Sequence, residues 1–434
     1  MRTAASPDPS TRTPGWLLAT LVLLGVAVFI NYIDRGNLAT AAPLIKTELG
    51  LSATQLGFLL TAFFIAYVPM QVLVGWLADR FGASRVLLIG FVVWSVAMSG
   101  SGLVHGLALF ATLRVLLGLG ESVFFPASSS IVAHCLPESR RGIANAVIMA
   151  GMACGPAFGI FFGGLLIAEF GWRPFFVGFG LLSLIWVIPW MRTAQPRLVR
   201  HHVAQSEGGP SMRAILRERS LWGASLGHFC ANYVWYFVLS WMPYYLVHER
   251  GWSMRQMATI GGVAYLLMAF TTMITGWALD RRIASGSSVT RVHKSFLGAG
   301  AAITAVTILG CVVASAGASV LLFCVACAAM GLVSPSVYAV GQVLAGENAA
   351  GRWIGIQNCL GNMAGLVAPL LTGILVDRTG HFVLAFAITA VICAGGGLAW
   401  IFGIGPIAKI DWARRARAGV TLALSSPEIV PPAS

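Results

Sequence analysis

The sequence predicts an all-α integral membrane protein with twelve transmembrane helices arranged as two six-helix halves. The first supporting observation is composition, because 57% of the residues are hydrophobic and only 10% are charged, whereas soluble domains carry about 25% charged residues. The second is a series of long, continuous apolar runs. The third is a repeated hexapeptide, GWLADR at residues 75–80 and GWALDR at residues 276–281, 201 positions later. This repetition indicates two homologous halves, an arrangement from which many secondary transporters build a central site.

The apolar runs account for most of the chain and set the predicted helix positions. They are 17 to 28 residues long, and about 20 apolar residues cross a bilayer as a helix. Because the runs are continuous rather than alternating, they do not fit the strands of a membrane β-barrel. The predicted runs are 16–33, 53–78, 86–104, 107–133, 143–168, 175–191, 220–247, 254–279, 295–317, 319–345, 353–376 and 382–405.

The polar segments between the runs define the domain organisation. Only one loop is of substantial length, and it separates the sixth run from the seventh. The other loops are too short to hold a catalytic domain, so we expect no enzymatic activity and no cofactor. The predicted parts are a disordered cytoplasmic tail at 1–15, an N-terminal six-helix bundle at 16–192, a cytoplasmic linker at 193–219, a C-terminal six-helix bundle at 220–405 and a cytoplasmic tail at 406–434.

The net charge of +13 reflects membrane topology rather than a nucleic-acid partner. With both termini in the cytoplasm, 21 of the 28 Lys and Arg residues lie in cytoplasmic segments and five on the opposite side. This bias is the positive-inside rule of membrane proteins. We therefore expect a multi-pass protein of the bacterial inner membrane that is surrounded by the lipid bilayer and does not bind nucleic acid.

The cysteines do not indicate a metal or redox centre. Seven of the eight lie inside apolar runs, and Cys324 and Cys327 form a CxxC pattern in the middle of one run. With no Asp, His or Lys beside them, they fit small buried side chains better than a redox or metal pair. The sequence therefore predicts no metal site and no disulfide framework.

The first hexapeptide extends into a longer pattern, GxLxDRxGxxR, at residues 75–85. An acidic residue near a helix end, followed by two arginines around a glycine turn, suits a latch between helix bundles. We therefore predict a gating role for Gly75, Asp79, Arg80 and Arg85. The alternative is an ordinary cytoplasmic turn that obeys the positive-inside rule. The second copy lacks the later glycine and arginine at matching positions.

Four ionisable side chains interrupt the apolar runs of the N-terminal half, namely Asp34, Arg35, Arg114 and Glu121. Each costs about 2.5–3.5 kcal/mol at the centre of a membrane helix, so such residues are retained where they pair or line a pathway. Arg114 and Glu121 are seven positions apart and share a helix face. An arginine can bind an anion through its planar fork, and a buried carboxyl can exchange a proton against the charge of a substrate. The alternative is two structural ion pairs that hold the bundle together.

Three motifs resemble the major facilitator superfamily and, within it, the anion:cation symporter family. They are NYIDR at residues 31–35, RVLLGLGE at residues 114–121 and GxxxGPxxG at residues 151–159. This family includes bacterial hexuronate, galactonate, glucarate, tartrate and phthalate transporters. The resemblance covers nearly the whole chain. It implies the major facilitator fold and a proton-coupled symporter that imports a small organic anion across the inner membrane by alternating access.

The resemblance also implies roles for individual residues, arginines binding the substrate and acids coupling it to protons. It places Tyr32, Tyr67 and Asn358 at substrate-contacting positions, and Asn232 is a candidate because polar residues recur at helical spacing in the seventh run. A helix–helix hydrogen bond is the alternative for each such polar residue. The predicted substrate-binding residues are Arg35, Arg114, Tyr32, Tyr67, Asn232 and Asn358, the predicted proton-coupling residues are Asp34 and Glu121, and further polar candidates are His228, Trp235, Tyr236, Ser334, Ser336, Gln342, Gln357 and Asn362.

The fifth run departs from the sugar-acid members of the family. Residues 148–154, IMAGMAC, are apolar, whereas the resemblance implies an amide in this region that binds hydroxyl groups. A smaller or less hydroxylated anion, such as a short carboxylate or a sulfonate, is therefore expected as readily as a sugar acid.

Other functions remain as alternatives. A proton-driven exporter of drugs or metabolites would use a site suited to cations or neutral compounds, which paired arginines do not favour. An integral-membrane enzyme would need a nucleophile–base set or metal-ligand spacing, and the loops contain neither. A non-transporting sensor is a third hypothesis. Short loops and a self-contained fold predict a monomer. We expect transport to be driven by the proton gradient, without a cofactor.

Overall fold

The computed structural model describes residues 15–135, 147–148, 150–152, 154–193, 210–346 and 349–412, and nearly all of them are helical. The helices are α1 Gly15–Glu48, α2 Ala53–Phe81, α3 Ala83–Ser101, α4 Leu107–Glu121, α5 Phe124–Cys135, α6 Gly164–Phe170, α7 Trp172–Ser183, α8 Val187–Thr193, α9 Met212–Leu216, α10 Arg219–His248, α11 Met254–Ala284, α12 Val289–Val313, α13 Ala316–Ala345, α14 Ala350–Asn362, α15 Ala364–Thr379 and α16 Val383–Leu398. The predicted N-terminal tail, most of the predicted linker and most of the predicted C-terminal tail lie outside the described residues.

Eleven helical spans in these ranges are long and apolar enough to cross a membrane. Some combine two segments, since α4 and α5 form the span of the fourth predicted run and α14 and α15 form the span of the eleventh predicted run. The seventh predicted run forms α10, a continuous helix of 30 residues. It is about 45 Å long, and its many tyrosines and polar side chains make it less apolar than the others. The predicted fold of twelve helices in two six-helix halves is confirmed.

The first helix continues well beyond residue 33, so the predicted end of the first run is wrong. The polar residues that interrupt the apolar pattern, among them Asn31, Asp34 and Asn37, are buried within the bundle. A membrane helix that turns its polar side chains toward other protein segments needs no continuous apolar sequence. As a result, α1 carries Asp34 and Arg35 near its middle rather than at its end.

The helices α2 and α11 are equivalent elements of the two halves. Ser52 and Gln55 form a capping box at the start of α2, and Ser253 and Gln256 form the same box at the start of α11. In such a box the two side chains satisfy backbone N–H groups at the helix start. The boxes are 201 positions apart, as are the two hexapeptides at the other ends of these helices.

Irregular turns interrupt several of the described spans, three of them in the fourth, fifth and eleventh predicted runs. The fourth span breaks after Glu121, the eleventh breaks after Asn362, and the fifth contains a π-helical turn at Gly159–Gly163. Irregular backbone at membrane depth is tolerated where it is buried in protein or lines a cavity. π-helical turns are also frequent at functional sites. The breaks after Glu121 and Asn362 place both of these residues at the interior of the bundle.

Helices α1 and α10 pack against each other across the two halves. Two further helix pairs join the halves at one end of the bundle, which we call the distal end because α1 finishes there at Glu48. In the first pair, α2 packs against α15, and a Cβ at Gly57 would lie 2.6 Å from the Pro369 carbonyl oxygen. In the second pair, α6 packs against α11, and a Cβ at Gly164 would lie 2.5 Å from the Cβ of Ala258. Small residues let membrane helices approach closely, so both pairs are tightly closed.

Candidate functional site

A buried ion pair joins α1 to α4 in the N-terminal half. Arg35 Nε donates a hydrogen bond of 3.0 Å to Glu121 Oε2, and the exposed fractions of the two side chains are 8% and 0%. Removing a charge from water costs several kcal/mol even after relaxation, and a buried pair offsets this cost only while both partners are present. Arg35 and Glu121 therefore act as one electrostatic unit, although they lie 86 positions apart in the chain.

Aromatic rings enclose the Arg35 guanidinium. Its Cζ atom lies 4.7 Å from the centre of the Tyr32 ring, 5.1 Å from that of Phe63 and 4.5 Å from that of Tyr67. The Cζ atom of Arg114 lies 5.5 Å from the same Phe63 ring. Desolvated cation–π contacts contribute about 2 kcal/mol or more, so the rings help to hold both guanidinium groups in a charged state. Phe63 was not predicted, and its role follows only from this geometry.

Several polar atoms of this cluster are buried and lack a hydrogen-bond partner among the described residues. They are both carboxylate oxygens of Asp34, Nε of Arg114, Nη2 of Arg35 and Oε1 of Glu121. Asp34 lies close enough to Glu121 and to both arginines to interact with them electrostatically. A buried polar group without a hydrogen bond costs about 1–3 kcal/mol. The unpaired donors of the two arginines are therefore the groups that would gain most from an anion.

The C-terminal half contributes an uncharged hydrogen-bond network. The Tyr236 hydroxyl donates to Asn362 Oδ1 over 2.6 Å, and Asn362 Nδ2 donates to Asn358 Oδ1 over 3.0 Å. The Tyr338 hydroxyl donates to the same Asn358 oxygen over 2.9 Å, and its ring lies 5.2 Å from that of His228. Tyr338 is 36% exposed. Tyr338 is therefore the network residue with a large accessible surface among those named here.

One face of α2 connects the arginine cluster to this network. Tyr67 covers Arg35, and Gln71 follows four positions later on the same helix face. Asn358 Nδ2 donates to Gln71 Oε1 over 3.4 Å, which joins the two halves directly. Gln71 was not among the predicted residues, although its position one turn after Tyr67 could have indicated it. The two groups thus line the same interior region, from opposite halves.

Seven of the eight predicted substrate and proton residues therefore fall into these two groups, namely Arg35, Arg114, Tyr32, Tyr67, Asp34 and Glu121 in the first and Asn358 in the second. Asn232 is half-buried on α10, and the network reaches this helix through Tyr236 instead. Two further candidates serve helix packing, since Gln357 donates to a backbone carbonyl of α13 over 2.8 Å and Ser336 pairs with a histidine of α12 over 2.9 Å. The roles of the grouped residues stay predictions.

The predicted gating residues lie at the end of the bundle opposite to the distal end. Gly82 joins α2 to α3 with a φ of +90°, a conformation that favours glycine. Arg80 and Arg85 are exposed on either side of this turn. The side chain of Asp79 and the surroundings of Gly75 lie outside the part of the chain that the structure describes. The latch at this end therefore stays a prediction.

Residues 24–290 of the chain match the Major Facilitator Superfamily. The chain is 29% identical over 402 residues to the hexuronate transporter of Bacillus subtilis (strain 168), covering 90% of this chain and 95% of that protein. It is 29% identical over 412 residues to the probable sulfoacetate transporter SauU of Cupriavidus necator, again covering 90% and 95%. A bacterial homolog of the human lysosomal transporter Spinster, in an inward-facing and unoccupied conformation, has the same fold. Its crystal structure superposes with a TM-score of 0.73 at 19% identity, over 95% of this chain and 96% of that chain.

Proposed function

The chain belongs to the Major Facilitator Superfamily, and we propose that it is a secondary active transporter that imports a small organic anion together with protons across the inner membrane. As a member of this family, it is a transporter and not an enzyme. The observation that carries the proposal is the buried cluster of Arg35, Arg114, Asp34 and Glu121. The relatives named for hexuronate and sulfoacetate support an organic anion as the substrate.

The charge of the cluster suits an anion that arrives with a proton. With both acids ionised, Asp34 and Glu121 balance the two arginines, and the formal charge of the cluster is zero. Protonation of one carboxyl leaves a net positive charge, which an anionic group of the substrate can neutralise. Cations and neutral compounds gain nothing from this change. The arrangement thus favours co-transport of an anion and a proton over drug export.

Competition for Arg35 supplies the coupling step. In the structure the Nε group of Arg35 is bound to the Glu121 carboxylate. A substrate carboxylate or sulfonate needs the same planar donors, because arginine binds such groups through two parallel N–H bonds. When Glu121 takes up a proton, it loses the charge that holds Arg35, and the guanidinium becomes available to the anion. Proton uptake at Glu121 and anion binding at Arg35 therefore support each other.

Alternating access would carry the bound anion across the membrane. The tight contacts between the halves lie at the distal end, where α2 meets α15 and α6 meets α11. With both termini in the cytoplasm, this end faces outward, and the present conformation is closed to the outside. Import then requires the distal contacts to open for loading and to close before release inside. The basic residues Arg80 and Arg85 lie at the inner end, as the positive-inside rule requires.

Two classes of anion fit the site. The amide and tyrosine network around Asn358 can bind the hydroxyl groups of a sugar acid. The fifth span, by contrast, places Gly155 against α1 at this level, where a Cβ would lie 2.6 Å from the Cβ of Tyr32. It therefore supplies no amide from this face. A short carboxylate or sulfonate, held only by the arginines, fits this face of the fifth span as well as a sugar acid does.

Uptake into proteoliposomes of the purified protein tests the proposal. Labelled glucuronate and labelled sulfoacetate are offered outside at acidic pH with a neutral interior, with and without a protonophore. We expect one of the two anions to accumulate, and accumulation to stop when the protonophore is added. Uptake that is unchanged by the protonophore would contradict proton coupling. Transport of lipophilic cations and of neither anion would instead support the exporter.

A further inference from the structure

We propose that Asp377 is the latch of the distal gate, the closed contact between α2 and α15, because it caps the first turn of α2 from the other half of the molecule. Ala53 N donates to Asp377 Oδ1 over 2.8 Å, and Thr54 N donates to Asp377 Oδ2 over 2.6 Å. The residues so joined are 324 and 323 positions apart. The inference rests on alternating access and not on the identity of the substrate.

The cap satisfies backbone groups that α2 cannot satisfy by itself. The first N–H groups of a helix have no partner within the helix. Ser52 Oγ accepts from Gln55 N within the capping box, which leaves the N–H groups of Ala53 and Thr54. Asp377 binds both of these, and its negative charge is stabilised by the positive end of the α2 dipole. Hydrogen bonds to a charged acceptor are about twice as strong as neutral ones.

The position of Asp377 in its own helix makes this cap specific to the closed state. Asp377 lies in the last turn of α15, which ends at Thr379. An acidic residue is unfavourable there, because the negative end of the α15 dipole repels it. The contact with α2 reverses this disadvantage. When the halves separate, Asp377 loses the favourable interaction with the α2 dipole and keeps the unfavourable interaction with the α15 dipole. It therefore stabilises only the closed gate.

The packing next to the cap makes the Asp377 hydrogen bonds and the contact between α2 and α15 form and break together. Gly373 lies four residues before Asp377 on α15, and a Cβ there would clash with the Ala53 carbonyl oxygen. The Thr61 hydroxyl donates to the Leu366 carbonyl over 3.4 Å further along the same helix pair. Because the backbones touch at this level, the carboxylate reaches the start of α2 only while α2 and α15 are fully packed.

The second helix pair offers a matched but weaker contact. Glu169 at the end of α6 pairs with Arg255 at the start of α11 over 3.1 Å, in the position that corresponds to Asp377 and α2. The two side chains are 60% and 72% exposed. Exposed ion pairs contribute about 0–1 kcal/mol. Asp377 is exposed as well, so the difference lies in its two backbone N–H donors, whereas Glu169 is bonded to a flexible side chain. Glu169 is therefore a natural control for Asp377.

Hydrogen–deuterium exchange of the full-length protein in nanodiscs tests the latch. The variants are Asp377→Ala and Glu169→Ala, and the readout is the first two turns of α11, which belong to the other helix pair and do not touch Asp377. Loss of an N-cap typically lowers the equilibrium constant for the folded helix by about five-fold, and we expect the closed-to-open ratio to fall by a similar factor. We expect exchange at the start of α11 to rise by a similar factor in Asp377→Ala and to change little in Glu169→Ala.

Two results would overturn the proposal. Faster exchange at the start of α2 alone would make Asp377 a local cap with no control over the gate. An equal rise in Glu169→Ala would remove the asymmetry between the two contacts. Should Asp377→Ala fail to give folded protein, Asp377→Asn keeps a neutral acceptor and is expected to give an intermediate rise at α11. No rise in Asp377→Asn would count against the latch. Absence of anion uptake by the unmodified protein, together with the expected rise at α11 in Asp377→Ala, would count only against the proposed function.

Discussion

Arg35 and Glu121 meet across α1 and α4 at 3.0 Å, with the guanidinium covered by three aromatic rings. The group best suited to bind an anion is thus already bound to a carboxylate of the protein. In the proposed mechanism, an entering anion has to replace Glu121, and a proton on Glu121 makes that replacement easier. The proposed anion site and the proposed proton site are therefore parts of one contact rather than two separate sites.

Glu121→Gln is expected to abolish proton-driven accumulation. Glutamine keeps the size and hydrogen-bonding capacity of the side chain but neither carries a charge nor exchanges a proton. In proteoliposomes, accumulation should fall to the level of a protonophore-treated sample, while exchange of labelled for unlabelled anion continues. Glu249→Gln, at an exposed carboxylate, should behave like the unmodified protein. Full pH-driven accumulation in Glu121→Gln would refute the role assigned to this acid.

Arg114→Ala is expected to weaken anion binding by about 30-fold or more, because truncating one partner of a desolvated charge pair costs about 2–5 kcal/mol. Arg114→Lys should fall between this variant and the unmodified protein, since it keeps the charge and loses the planar fork. Thermal stabilisation by increasing anion concentration measures the effect. Exposed Arg378 provides the control, Arg378→Ala. Equal stabilisation of Arg114→Ala would remove Arg114 from the site.

Asn358→Ala is expected to change selectivity rather than binding in general. Asn358 is the hub of the network that involves Tyr338, Asn362 and Gln71. If substrate hydroxyls bind there, the variant should bind glucuronate about two- to ten-fold less tightly, since one hydrogen bond contributes about 0.5–1.5 kcal/mol. Binding of sulfoacetate, which has no hydroxyl group, should change much less. A parallel loss for both anions would indicate that Asn358 supports the fold only.

Gly118→Ala is expected to destabilise the protein by about 1–3 kcal/mol, the usual cost of overpacking. A Cβ at Gly118 would clash with the Phe63 carbonyl oxygen, so α4 and α2 would have to move apart. Because Phe63 contacts both arginines, anion binding should weaken as well. The matched control is Gly178→Ala on α7, where a Cβ meets no atom within 4 Å. Thermal unfolding in detergent measures both variants, and equal melting temperatures would contradict the predicted strain.

The number and approximate position of the membrane helices could be predicted from the sequence because the bilayer imposes a minimum apolar length. The extent of α1 could not. Asn31, Asp34 and Asn37 break the apolar pattern, and only their burial against other helices shows that the helix continues through them. The break after Glu121 is likewise invisible in the sequence, since it depends on how the fourth span packs against its neighbours.

The site was only partly predictable. Asp34, Arg35, Arg114 and Glu121 stand out individually because charges are costly in a membrane. Helical spacing relates Arg114 to Glu121, which share a helix face, yet the hydrogen bond in the structure joins Glu121 to Arg35 on another helix. Phe63 resembles any other apolar residue of its run, and its contact with both arginines emerges only when α1, α2 and α4 are assembled.

By itself, the sequence determined that this is a membrane protein of two related halves, with charged groups buried in one of them. These properties depend on composition and on spacing along the chain, which lipid and helix geometry convert directly into structure. The tertiary structure alone decided which partners those charges have and where the halves touch. Asp377 illustrates the difference, because its bonds to Ala53 and Thr54 span more than 300 positions. Such contacts depend on the relative placement of whole helices, and no local pattern encodes that placement.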